Sequence, residues 1–500
     1  MSRYLYYIRA TKASFQTIFS LFLLLFVSVS LPLSASEIRL PSLGGDSSSA
    51  LMTPQQEQLL GEAFLRSLRE QADFLLQPEV NHYIQSLGRS LVLQSETPTA
   101  PFEFFIINDD SINAFAGPGG KIGIHTGLIL KSESEGELAA VLAHEIAHVS
   151  QRHLLRALES RQNLSLQTAA TILTAILASS ASPQAGEAVI ATATGLSLQK
   201  QINFTRSNEQ EADRIGMQIL HSNGYPAAAM PAFFKRLQLS TRHEGETIPE
   251  YLRTHPLTLS RIADAESRIA HYPELPPFSN DEFQRIRNLL HVQQFTNPEA
   301  AVRYYKAQLS EISDSTNRSG LQFGLGYALL QAGQAAQALQ QLLPLTAQSP
   351  EQPTLLITTA QAEVANNQRP AALKRIATAY NLFPSHLGLS LFYTNLLQQS
   401  GALKEALQIL QDAIDQRPDN PSLYKTLAAN YHLSRQPSES HLALAEYHYL
   451  RGETTIAIHQ LDYAERTGSN KRNHFILFAK IDEKRRIYEQ KEQLEKESKI

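Results

Sequence analysis

The sequence predicts an α+β chain, mostly helical, in which a unit with a small sheet precedes an all-α superhelix of repeats. Three observations predict it. Two strand-like segments, "FEFFII" (102–107) and "KIGIHTGLIL" (121–130), flank a Pro-Gly-Gly turn at 118–120. An apolar-faced helix, "ELAAVLAHEIAHV", follows them and carries two histidines four residues apart. Beyond residue 319, small residues, Gly or Asn, and Pro return with a period of 34.

The chain has 500 residues, 43% hydrophobic and 18% charged, enough apolar material for two or three folded units. A net charge of −4 with no block of Lys or Arg offers no broad surface to a phosphate backbone, so nucleic acid is not expected as a partner. Arg3, Arg9 and Lys12 precede the apolar run "TIFSLFLLLFVSVSLPLSAS" (17–36). Pro32, Ser34, Ala35 and Ser36 then form a cleavage region, so residues 1–36 read as an export signal removed near 35–36. The chain contains no cysteine, which excludes disulfides, a thiolate nucleophile, Cys-ligated zinc and a lipidated cysteine. These features predict an exported protein of the periplasm.

The elements follow in order. From Thr53 to about Leu93 the pattern is an amphipathic helix, opened by a Thr N-cap and Pro54 in the first turn. The two strands and the histidine helix come next. Between Arg161 and Lys200, themselves charged, the only charged residue is Glu187, and "SPQAG" (182–186) interrupts the run. This stretch reads as a buried helical hairpin, the other readings being a lid or a surface that meets a membrane protein. "HYPELPPFSND" (271–281) marks the end of the first unit. In the repeats, Gly333, Ala338 and Pro350 recur as Asn367, Ala372 and Pro384, then as Gly401, Ala406 and Pro418. Small residues let paired helices approach, and the Gly or Asn and the Pro end them. A fourth pattern at 422–433 keeps phase, after which a fifth unit is expected at 443–464. "DEKRRIYEQKEQLEKE" (482–497) reads as a solvated capping helix.

His144, Glu145 and His148 form His-Glu-x-x-His. On a helix both imidazoles reach one Zn²⁺ while Glu145 leans toward a water beside it. A third protein ligand is required. His153 lies nine residues past His144, about 180° around a continuous helix, and is read as a helix-end residue or one that supports a ligand, direct ligation being the lesser alternative. "FTRSNEQEADRIGMQIL" (204–220) offers a better source. Glu209 and Asp213 are four apart and share a face, whereas Glu211 points elsewhere. One of the two carboxylates can bind metal while the other receives the second ring nitrogen of a ligating histidine.

The segments "NAFAGPGGKIGIHTGLI", "AAVLAHEIAHV", "RSNEQEAD" and "HPLTLSRI" occur in that order. Together they resemble the CAAX prenyl protease/HtpX-like zinc metallopeptidase family, in a periplasmic branch that carries tetratricopeptide repeats. The resemblance implies a zincin-like (gluzincin) domain with one zinc ion held by His144, His148 and Glu209. It implies Glu145 as catalytic base, Asp213 as the catalytic group supporting a ligand, and Arg206 positioning the acidic helix or the Glu209 carboxylate. The family motif has Ser before that arginine, where this chain has Thr205. The extended "GGKIGIHTG" segment is expected to pair with substrate backbone as an added strand. For His255 the resemblance implies an approach to zinc, either filling the open position and restraining hydrolysis or stabilising the oxyanion.

The expected divisions are a signal at 1–36, a metallopeptidase domain at 37–275, a linker and helical pair at 276–318, repeats at 319–470 and the cap at 471–500. The resemblance also implies the activity, a metalloendopeptidase in quality control of outer-membrane β-barrel proteins. Its clients would be unfolded or misassembled barrels, and its partners the barrel assembly machinery and the lipopolysaccharide-transport barrel, with peripheral membrane contact. The alternative is a binding or chaperone protein with weak or tightly autoinhibited proteolysis.

Overall fold

The computed structural model describes residues 53–159, 206–243, 249–276, 278–312, 318–468 and 475–497. The expected export signal and the hairpin at 161–200 lie outside them. Helix α1 (Pro54–Arg69) opens on a capping box: Thr53 Oγ1 accepts from the Gln56 amide at 3.3 Å and Gln56 Oε1 accepts from the Thr53 amide at 2.9 Å. The single helix expected over 53–93 is broken in two. Phe74 bridges to Ile107, and α2 (Pro78–Val92) restarts at a proline whose missing N–H costs nothing in a first turn.

Strands β1 (Glu103–Ile107), β2 (Ala114–Ala116) and β3 (Lys121–His125) lie in the order β1-β3-β2, with β3 parallel to β1 and antiparallel to β2. Both edges of β3 are therefore taken, which corrects the expectation that this segment pairs with substrate. The outer edge of the sheet near the histidine helix belongs to β2. The expected second strand also ends early. Residues past His125 turn into helix α3 (Thr126–Lys131), because Gly127 is pressed against the backbone of Asp110 and Ser111 where any side chain would collide.

Helix α4 (Glu135–Ser150) starts at Ser134, whose Oγ accepts from the Glu137 amide at 3.2 Å. It is buried on all sides from Gly136 to His148. Across it lies α6 (Arg206–Ser222). Gly216 permits that approach: a Cβ there would lie 3.1 Å from the His144 nitrogen and 3.0 Å from Met230 Cε. Between them, α4 ends at Ser150, Arg152 takes a left-handed φ of 54°, and α5 (His153–Glu159) sets off in a new direction. Helices α7 (Ala229–His243), α8 (Glu250–Thr254) and α9 (Leu259–Ile269) complete the wall around α4.

The apolar core does not stop at the Pro-rich stretch. Through α10 (Asp281–Gln293) and α11 (Pro298–Glu311) one buried cluster runs from Val80 to Ala362. Helix pairs follow: α12 (Arg318–Gln331) with α13 (Ala335–Gln348), α14 (Pro353–Ala365) with α15 (Arg369–Leu382), α16 (Leu387–Gln399) with α17 (Leu403–Gln416), and α18 (Pro421–Leu433) with α19 (Pro437–Leu450). Gly333, Asn367 and Gly401 take φ of 73°, 60° and 78°. Arg435 does the same at 57°, one period later, where the sequence shows neither Gly nor Asn. The unit expected at 443–464 instead begins inside α19, and α20 (Thr454–Thr467) follows a turn at Gly452. The charged end is the outer face of α21 (Phe475–Glu497), whose Phe478, Ile481 and Tyr488 are buried with Leu461 of α20.

The superhelix closes back on the first unit. Helix α16 packs against α2, and Arg69 donates to the Leu450 carbonyl. At this junction the rings of His82 and His386 stand 3.9 Å apart. Burial, with the Arg417 and Arg89 guanidiniums, brings the His82 imidazole down to about 4. Burial, His82 and Arg417 bring His386 down to about 3. The unfolded chain takes up these protons near pH 6.5, so the junction stabilises the fold above that value and loses the contribution as pH falls toward 4. A chain carrying His82→Gln and His386→Gln should lose less melting temperature between pH 7 and 5 than wild type. Parallel curves would remove the linkage.

Candidate metal centre

Four side chains from three separate segments converge beneath β2. His144 and His148 project from the buried face of α4, Glu209 from the first turn of α6, and His255 from the C-cap of α8. One potential ligand atom from each lies within 4.8 Å of all the others. His144 Nε2 and His148 Nε2 approach to 2.9 Å, and Glu209 oxygens stand 3.6 and 3.4 Å from them. Two buried imidazoles and a carboxylate turned toward a common point are a donor set that fits a divalent cation.

The surrounding contacts hold this geometry. His144 Nδ1 lies 3.0 Å from Asp213 Oδ1, the position for an acceptor that fixes the ring's tautomer. Burial opposes charge on His144, but Asp213 and Glu209 outweigh it and raise its imidazole to about 9. His148 faces the other way: its Nδ1 is 2.8 Å from His153 Nδ1, and His153 Nε2 is 3.1 Å from Glu211. Burial and the neighbouring His144 depress the His148 imidazole well below its ordinary value. His153 thus touches a candidate ligand from behind. It arrives there through the chain reversal at Arg152, not as a continuation of α4, so the angle counted along one helix did not apply.

Arg206 stands exposed at the start of α6, and among the described residues it makes no bond that would hold the Glu209 carboxylate. The structure gives that role to Arg261 of α9. Its Nη1 is 2.7 Å from Glu209 Oε2, while Nε and Nη2 each donate to Asp213 at 2.7 Å. Nη1 also donates to the Pro256 carbonyl at 3.0 Å, tying the turn that follows His255 to the acidic helix. Burial works against the Glu209 charge, yet His255, His144 and His148 hold its carboxyl well below the usual range. Asp213 is likewise held down against burial by Arg261 and His144. Arg261 lies within the quoted "HPLTLSRI", but a charged residue 48 positions from its partner leaves no local signal of the pairing.

Glu145 is wholly buried beside the Ala116 backbone, and burial raises its carboxyl above the ordinary carboxylate range, against the pull of His255 and His144. His255 Nε2 lies 3.5 Å from Glu145 Oε1, and its Nδ1 lies 3.2 Å from Glu209 Oε1 and 3.4 Å from His144 Nε2. Tyr251 stacks on this imidazole with centroids 4.8 Å apart, and its amide donates to the Ile112 carbonyl at 3.2 Å. That bond attaches the His255 segment to the chain entering β2. Nothing in the sequence marked Tyr251.

Comparison with known proteins adds two family matches and three relatives. Residues 78–269 match the family model described as Peptidase family M48, and residues 363–431 match the tetratricopeptide repeat. The chain is 34% identical over 460 residues to the beta-barrel assembly-enhancing protease of Yersinia pestis, covering 90% of this chain and 92% of that protein. It is 33% identical over 457 residues to the protein of that name from Escherichia coli (strain K12), with the same coverage of 90% and 92%. A shorter likeness, 32% over 155 residues, links it to the mitochondrial metalloendopeptidase OMA1 of Arabidopsis thaliana, covering 31% of this chain and 29% of that one.

Proposed function

The chain belongs to peptidase family M48 and is a metalloprotease with tetratricopeptide repeats; on that premise we propose that it is a zinc-dependent endopeptidase acting on β-barrel proteins of the outer membrane. The convergence of His144, His148 and Glu209 beside Glu145 carries the reading. Two imidazoles and one carboxylate are the donor set of a catalytic zinc site with an open position. Bound there, zinc would supply Lewis acidity toward a peptide carbonyl and make water easier to deprotonate. Glu145 takes the proton from that water and returns it to the departing amine. Asp213 fixes the His144 ring, and Arg261 holds Glu209 and Asp213 in place. The outer edge of β2 receives an extended substrate as an added strand, which aligns the backbone without reading much side-chain sequence.

His255 is the restraint on this site. Its imidazole lies between Glu145 and the candidate ligands, which supports a closed state that must yield before substrate enters. The same crowding favours the second reading, in which binding and assembly of clients dominate and hydrolysis is tightly autoinhibited. The relatives' name, beta-barrel assembly-enhancing protease, supports both client class and assembly role. We take the barrel assembly machinery and the lipopolysaccharide-transport barrel as partners and the periplasm as the compartment, following the export signal expected from the sequence. No helix among the described residues is long and apolar enough to cross a membrane.

The test compares Glu209→Ala with Glu211→Ala for zinc content by mass spectrometry and for degradation of an unfolded barrel protein. Glu209→Ala should weaken zinc binding by more than about 100-fold and end degradation, whereas Glu211→Ala, which loses only the His153 contact, should cost about tenfold. Equal loss in both would undo the ligand assignment.

A further inference from the structure

A groove of about 550 Å³ lies away from the metal centre, between β1 and α2 on one side and the repeat turns at 416–422 and 450–451 on the other. Its lining holds five cationic side chains against three acidic ones. Most of these are engaged. Lys121 pairs with Glu103, Arg69 lies 3.9 Å from Glu103 and donates to Leu450, Arg451 pairs with Glu453 at 2.9 Å, and Asp73 accepts from Asn108 at 2.9 Å. Arg89 and Arg417 differ, for neither has an acidic partner among the described residues.

Burial, then the Arg89 charge, lowers the proton affinity of Arg417, and the same charges bear on the His82 and His386 pair beside them. Arg417 Nη2 donates to the Ser385 carbonyl, but its Nη1 is a buried donor without an acceptor among the described residues. A buried guanidinium N–H left unpaired is costly, and a second cation nearby adds repulsion. Arg89 stands in the last turn of α2, where the helix dipole favours it, but that accounts for neither Arg417 nor the shared location. Both histidines being neutral, the charge of the cluster rests on the two arginines.

We propose that this groove is a binding site for an acidic stretch of an extended polypeptide, with an Asp or Glu side chain received by Arg417 and Arg89. A carboxylate accepts two guanidinium N–H bonds at once and supplies the acceptor that Nη1 lacks. The volume is far beyond a single small anion, and Leu76 and Leu387 line it beside the cations, so flanking side chains have apolar wall to cover. The site joins the protease unit to the repeats, and a client held there is anchored at a distance from Glu145. The proposal concerns binding alone and does not depend on hydrolysis.

The measurement uses the full mature chain carrying Glu145→Gln, so that nothing is cleaved, and follows anisotropy of a labelled short peptide capped at both ends. Its central Asp residues are replaced by Asn in a matched control. The Asp peptide should bind at least about tenfold tighter than the Asn peptide, a difference of about 1.4 kcal/mol, and added salt should shrink the gap. Arg417→Gln and Arg89→Gln should each bring the two peptides within about twofold, the energy of a screened surface pair. Arg89 is exposed, so its variant keeps the fold even if Arg417→Gln does not. Equal binding of both peptides to the parent chain overturns the proposal, as does discrimination that survives in Arg89→Gln. So does tighter binding of an Asn peptide with a free C-terminus, which assigns the site to chain ends, or displacement by inorganic phosphate as effective as by the Asp peptide.

Discussion

Glu145→Gln should lower peptide hydrolysis by about 10²- to 10⁴-fold, the range for loss of a general base, while leaving zinc content unchanged. The substitution keeps the volume of the side chain in a site where Glu145 is fully buried, so packing around α4 is preserved. Glu145 is not among the residues whose donor atoms converge, so metal affinity should be retained. Burial raises the Glu145 carboxyl, which strengthens it as a base, and an amide in its place cannot accept a proton. The decisive form of the experiment reads degradation and assembly of one barrel client side by side. Assembly that persists without degradation separates a chaperone activity from proteolysis. If neither the wild-type chain nor a variant whose His255 segment is displaced by substitution at Tyr251 shows metal-dependent cleavage, the protease reading fails.

Arg261→Ala should be the most destabilising change at the site. Arg261 makes four polar contacts of 3.0 Å or less, to Glu209, to both oxygens of Asp213 and to the Pro256 carbonyl. Glu209 and Asp213 are almost fully buried, at 1% and 2% exposure, so removing their cation leaves buried charge uncompensated, at a cost of about 3–5 kcal/mol. Zinc affinity should fall by about 10- to 100-fold as Glu209 and the His144 tautomer lose support. Arg261→Lys should recover only part of either effect, because one ammonium cannot reproduce the planar fork that meets two carboxylates and a carbonyl. Thermal melting and competition with a zinc chelator measure the two losses. A melting temperature and zinc affinity within error of wild type would show that the carboxylates are held by something else.

The contrast between Arg206 and Arg261 shows where sequence reasoning stopped. Both are arginines near site motifs, and the family resemblance pointed to Arg206, three residues from Glu209. The packing of α9 against α6 brings Arg261 to the carboxylates instead. His153 teaches a similar point. Helical arithmetic assumed that α4 continues through residue 153, whereas the left-handed Arg152 reverses the chain and returns the imidazole to His148. The repeat turn at Arg435 was hidden because a left-handed position ordinarily marked by Gly or Asn is occupied here by a residue with no such preference.

By itself the sequence determined what depends on neighbours in the chain. The four-residue spacing of His144 and His148 puts both on one face wherever the helix lies, Thr53 and Ser134 start helices by bonding their own first turns, and a 34-residue period compels stacked helix pairs. Tertiary structure alone decided what depends on separate segments meeting. The strand order that closes β3 and opens β2, the meeting of Glu209 with the histidines across Gly216, the Arg261 clamp, and the two arginines without an acidic partner among the described residues where the repeats close on α2 all belong here. The physical reason is the range of the forces. Backbone geometry and capping act within one turn of helix, whereas burial rewards any apolar surfaces that fit and carries charged side chains to partners dozens of residues away.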